Sequence, residues 1–295
     1  MQRIPKKTKA LKRTKLRSGL FLMPSMLGVL LFFVVPFAVV VYYAFVDNPV
    51  GGEFVWFRNF VRVWKNAAFR QAARNTLTFS LTAVPLSVIL ALLLAMLLEA
   101  KIPLKSQFRT FFLSPMMVPV ASVVLIWQVI FHYNGALNSV LNLFGVEPID
   151  WLKSNYSQLV IVVLFLWKNL GYNMILFMAA LGGIPREQLE AAEVDGASPW
   201  LRFWKIKLRY ISPSLLFVTI LSLINSFKIF REVYLLTGKY PYESLYMLQH
   251  FMNNTFLNID YQKLSAAAII MFTAMLIIIG VLFFVEARFG KDVEQ

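Results

Sequence analysis

Three carboxylates and a glycine turn stand together in Glu190-Ala191-Ala192-Glu193-Val194-Asp195-Gly196-Ala197-Ser198-Pro199, between two membrane-length apolar runs. Their spacing suits docking. Residues Glu187–Val194 favour a helix, with an acidic first turn that complements the helix dipole. Asp195-Gly196 is a turn pair, and glycine takes the left-handed conformation that ends a helix. Ser198 is a good N-cap and Pro199 a good first helical residue. The second helix, Trp200–Leu208, mixes Leu201, Trp204, Ile206 and Leu208 with Arg202, Lys205 and Lys207. Helices this short need tertiary contacts to persist. The expected contact is another chain; the alternative is a loop that caps its own bundle.

A second group of residues lies inside the apolar runs. Lys168 is near the middle of the fourth run, beside Trp167, Asn169, Tyr172 and Asn173. The i,i+4 pairs Lys168/Tyr172 and Asn169/Asn173 give that helix a polar face. In the fifth run, Ser222, Asn225, Lys228 and Glu232 recur at helical steps, with Arg231 bordering them. Lys228 lies about 22 Å along the helix from Pro213 at 1.5 Å per residue. Ionisable groups in a bilayer are costly and face protein or water. Amides and charges that bind hydroxyls, with Trp or Tyr to stack on a sugar ring, would suit a carbohydrate pathway. The competing account is structural: Glu232 paired with Lys228 or Arg231, or cations snorkelling from the outer half.

Other chemistry finds no support. His132 and His250 are the two histidines, and neither has a ligand-spaced neighbour. Cysteine is absent, so no thiolate metal site or disulfide forms. No catalytic residues and no metal site are expected. The phosphate loop G-x-x-x-x-G-K-[ST] is missing, so the chain cannot bind ATP through that motif.

The elements that position these groups are membrane helices. Of 295 residues, 59% are apolar and 15% charged, too few charges for a soluble domain. The net charge of +14 comes from basic residues flanking apolar runs, which argues against nucleic acid. A bilayer needs about 20 apolar residues per helix, and six runs qualify: 20–46, 75–98, 110–131, 156–181, 211–236 and 264–285. The first follows a basic tail, 1–19, but is too long for a signal peptide's apolar core. It is expected to be a retained anchor, followed by an external segment, 47–74. With both termini inside, 18 Lys and Arg face the cytoplasm and 8 face outward. Positive-inside therefore places both termini, including the tail 286–295, and the loop 186–209 in the cytoplasm. Kinks are expected near Pro24, Pro36, Pro85, Pro115 and Pro119. Gly135–Phe144 and Ser244–Phe256 read as short helices lying at the external surface.

The loop resembles the coupling loop of ABC-importer permeases. The resemblance rests on Glu190-Ala191-Ala192, Asp195-Gly196-Ala197, Ile206-Lys207-Leu208 and Pro213. Flanking pieces are similar to the carbohydrate branch, the maltose-permease-like subunits: Asn75-Thr76-Leu77, Arg109 to Pro115, Gly135 to Asn138, Ile184-Pro185 and Ser226 to Phe230. One residue departs: Arg209 stands where the family usually has proline, so the second helix is expected to continue until Pro213 stops it.

The resemblance implies an all-α integral membrane fold of six spans with a cytoplasmic helix-turn-helix loop. It implies half of a pore that imports a carbohydrate, either mono- or oligosaccharide, by alternating access in a bacterial cell membrane. The partners would be a second, different permease, two cytoplasmic ATPase subunits that hold ATP and Mg, an external solute-binding protein, and membrane lipid. The chain itself would carry no cofactor. Glu190, Ala191, Ala192, Asp195, Gly196 and Ala197 would meet the ATPase. The rival class is a secondary transporter driven by an ion gradient. It would want a mid-membrane carboxylate for coupling, and Glu232 is the one candidate.

Overall fold

The computed structural model describes residues 21–99 and 103–289; the basic tail 1–19 and residues 290–295 lie outside them. Among the described residues the chain is helical, with one isolated bridge, Val46 to Phe54. The helices are α1 (Phe21–Phe45), α2 (Arg58–Lys65), α3 (Ala67–Glu99), α4 (Lys105–Met117), α5 (Val120–Phe131), α6 (Ala136–Asn142) and α7 (Ser157–Gly182). Then follow α8 (Arg186–Val194), α9 (residues 199–210), α10 (Ser212–Lys228), α11 (Phe230–Thr237), α12 (Leu248–Leu257) and α13 (Tyr261–Phe289). Six segments among the described residues are long and apolar enough to cross a bilayer.

The chain divides into two compact units. Among the described residues, the first holds 21–63 and 258–272. In α1 the turn Leu30–Val34 is widened to a π-helix, with the Val35 N–H reaching Leu30 O. Pro36 follows directly; its ring crowds the Phe32 carbonyl, and the wide turn relieves that crowding. The Asn59 amide donates to Ala44 O at 3.1 Å and Val46 O at 2.8 Å, satisfying carbonyls at the end of α1. Phe37 packs on Phe272 with ring centroids 5.1 Å apart.

Among the described residues, the second unit holds 64–99, 103–257 and 273–289. Here α3 packs most extensively on α7, and α10 on α3. Ser80, Ala83, Ser87, Ala91 and Ala95 form one buried stripe along α3. Small residues at that spacing let neighbouring helices approach closely. Gly171 of α7 does the same for α4: a Cβ there would overlap the Phe112 carbonyl. Two apolar cores stack along these helices. One gathers Phe79, Trp127, Leu164, Phe165, Val233 and Leu245. The other gathers Val88, Ala95, Met174, Phe177, Ile211 and Val218.

Several expected boundaries move. The second run, expected over 75–98, belongs to a longer helix that starts at Ala67 and runs through Pro85. The third, expected over 110–131, is two helices, α4 and α5. Val118 is extended at the break, because the proline after it disfavours helical geometry. The third membrane-length segment is then Val120–Asn142. The short helices expected at the external surface fall at α6 and α12. Asn138 knots the first of them: its amide donates to Tyr133 O and Ile149 O, both at 2.8 Å, and its oxygen accepts from Trp151 Nε1 at 2.8 Å.

Candidate functional site

The hairpin of α8 and α9 takes its shape from local capping. Gly196 has φ +79°, and α8 ends in a Schellman motif around it. The Ala197 N–H donates to Ala192 O at 2.8 Å and the Gly196 N–H to Glu193 O at 3.0 Å. The Ser198 hydroxyl accepts from the Leu201 N–H at 3.3 Å and so caps α9. Arg202 Nη1 meets Glu193 Oε2 at 2.6 Å and locks the two helices. Lys207 Nζ meets Glu99 Oε2 at 2.9 Å and ties the hairpin to the end of α3. Leu189, Phe203 and Leu208 pack on the core beneath.

The opposite face is open. Glu190, Ala191, Asp195 and Gly196 are exposed, while Ala192 and Ala197 are half-buried. Val194 is 88% exposed and Trp200 71%, and Trp200 lies edge-on to Trp204 with centroids 5.5 Å apart. The braced hairpin thus holds large apolar side chains outward. Arg209 is helical, as expected, but Pro213 does not stop α9. A turn at Ile211 does, and Pro213 then occupies the first turn of α10. Within α9, Phe203–Lys207 form a π-helical turn that the propensities did not foretell.

The intramembrane polar residues do not converge on one open face. Most bond one another in a belt between the two apolar cores. Lys168 forms an ion pair with Glu232, whose side chain is 4% exposed. The structural partner of Glu232 is therefore neither Lys228 nor Arg231, the pairs expected from sequence proximity. Asn225 Nδ2 donates to Asn169 Oδ1 at 3.1 Å. Asn173 Nδ2 donates to Ser87 Oγ at 3.0 Å and Ser222 Oγ at 2.8 Å. The Ser80 and Ser226 hydroxyls lie 2.9 Å apart. Sequence reasoning missed Ser80 and Ser87; their place in the small-residue stripe of α3 was the available signal. Trp167, Lys228 and Arg231 remain exposed, and Tyr172 is half-buried.

One further polar group is buried at the level of α12. His250 is fully buried, with its Nδ1 accepting from the Met247 N–H at 3.3 Å. The ring stands edge-on to Phe230, centroids 4.7 Å apart. Burial lowers its pKa from 6.5 to about 4. Among the described residues no group of three or more His, Asp or Glu could hold a metal ion.

Comparison with known proteins agrees with this architecture. The chain is 31% identical over 276 residues to the sulfoquinovosyl glycerol transport system permease protein SmoG of Agrobacterium fabrum, covering 90% of this chain and 89% of the relative. It is 30% identical to the lactose transport system permease protein LacF of Rhizobium radiobacter, covering 79% and 80% of the two chains. It superposes on a chain of the bacterial alginate ABC transporter in complex with alginate pentasaccharide-bound periplasmic protein, with a TM-score of 0.82, 22% identity and coverage of 97% and 99%. Residues 87–294 match the family described as the binding-protein-dependent transport system inner membrane component. With six membrane-length helices among its described residues and that match over most of its length, this chain belongs to the family of inner membrane components of binding-protein-dependent transport systems: it is a multi-pass permease subunit, not an enzyme.

Proposed function

We propose that the chain forms half of the pore of an ATP-driven carbohydrate importer that works by alternating access. It pairs with a second, different permease, and the pair docks two ATPase subunits, this chain meeting its ATPase through the α8–α9 hairpin. Both termini and the hairpin face the cytoplasm, and a solute-binding protein delivers the sugar outside. The observation that carries this is the hairpin itself, braced by Glu99–Lys207 and capped at Gly196, with Val194 and Trp200 turned outward. Such a lever transmits movement of a docked partner to α3 and α10. The carbohydrate follows from the relatives, whose names include permeases for lactose and sulfoquinovosyl glycerol.

The pathway lies along α10–α11. Phe217, Lys228, Arg231 and Leu235 are exposed at helical spacing. Two cations on one face of a membrane helix are incompatible with hydrocarbon, so that face meets water or the partner permease. Trp167 and Tyr172 supply rings for a sugar. Lys168, Asn169, Asn173, Asn225 and Glu232 hold the helices that shape the route.

The decisive experiment is Gly196→Val. A β-branched residue at φ +79° strains the turn by at least about 1–2 kcal/mol and unseats the Schellman bonds. Uptake should be lost, with ATP hydrolysis uncoupled from transport or the ATPase no longer co-purifying. Wild-type uptake by an assembled Gly196→Val complex would remove the docking role.

A further inference from the structure

A cavity of about 660 Å³ lies behind the hairpin, between α9, the start of α10 and the end of α13. Among its lining residues, Lys205, Arg209, Glu286 and Arg288 lie at the end nearer the hairpin, its rim by position along the helices, and Leu215, Thr219 and Leu282 lie further along α10 and α13, its floor. We propose that this cavity binds an anionic phospholipid from the leaflet on the hairpin side, with the phosphate on the cationic rim and an acyl chain on the floor.

The gradient of polarity points to a lipid. From Ser212 at the rim to Thr219 on the floor is about 10 Å of helix, and Leu282 to Arg288 is about 9 Å. Both helices belong to membrane-length segments, so the floor lies below the membrane surface, out of reach of a soluble protein or nucleotide. The cavity is too shallow for a partner's transmembrane helix, which needs about 30 Å. An excess of cations at the membrane boundary attracts anionic headgroups. The rim is also built. Arg288 stands over the Phe284 ring at 5.2 Å, and the Ser212 hydroxyl donates to Glu286 Oε1 at 3.4 Å. The π-helical turn Phe203–Lys207 carries two of the lining residues, Trp204 and Lys205. A lipid here would sit directly beneath the hairpin. The site needs only the membrane fold and stands whatever solute crosses.

The test is native mass spectrometry of the full chain, extracted with its partners, using phosphatidylglycerol and phosphatidylcholine of matched acyl chains. The wild type should retain phosphatidylglycerol preferentially. Lys205→Gln with Arg288→Gln should weaken that preference about tenfold, and Leu282→Trp should reduce retention of both lipids by filling the floor. A photoreactive p-benzoylphenylalanine in place of Leu282 should capture lipid, a readout that survives if the charge variant fails to assemble. Equal retention of the two lipids, an unchanged preference in the charge variant, displacement by inorganic phosphate, or capture of a protein at position 282 would each overturn the proposal.

Discussion

Lys168→Leu tests whether the polar belt is structural. The substitution leaves the Glu232 carboxylate, 4% exposed, without its partner among the neighbouring helices. Removing one member of a buried ion pair costs about 3–5 kcal/mol, because the remaining charge is desolvated and uncompensated. Glu232→Leu should cost less, since the Lys168 side chain is 24% exposed and its flexible stem can carry the ammonium toward water. The double variant removes both charges and should recover to within about 1 kcal/mol of the wild type, as apolar replacements of buried pairs often do. The cycle therefore predicts a coupling of at least about 2–4 kcal/mol, the cost of Lys168→Leu less that of the double variant, measured by unfolding of the purified protein in detergent. Uptake separates the two roles of Lys168. A purely structural lysine regains transport in the double variant, and a substrate ligand does not. Additive losses from the two single variants would refute the pairing.

Gly171→Ala should destabilise the protein by about 1–3 kcal/mol, since its methyl would overlap the Phe112 carbonyl at the α4–α7 contact; an unchanged melting temperature would show that the two helices can separate freely. His250, with a pKa lowered from 6.5 to about 4, favours its neutral form in the folded state. Its contribution is full above about pH 6.5 and is lost as pH falls toward 4, by up to about 3 kcal/mol. His250→Phe should flatten the melting-temperature profile over that interval; an equally steep profile would count against the buried imidazole. Lys228→Leu and Arg231→Leu should impair uptake while the complex still assembles and binds ATPase, and normal uptake by both would move the pathway off α11.

The residue pattern by itself settles a good deal. Long apolar runs with basic flanks force membrane helices, because no other open-chain structure satisfies the backbone in hydrocarbon. The turn at Gly196 and the cap at Ser198 are equally legible, since left-handed φ and capping depend on a few adjacent residues. The break in the third run needed Val118 and Pro119 to be weighed above hydropathy, and their local conformation does decide it. The partners of the polar residues could not be had this way. Lys168 and Glu232 are 64 positions apart, and Ser87 and Asn173 are 86 apart. A helix's periodicity tells which residues share its face, but not which neighbour that face meets. Packing of α3, α7, α10 and α11 made that choice, turning most of an expected sugar-binding face inward as the bonds that hold the bundle together.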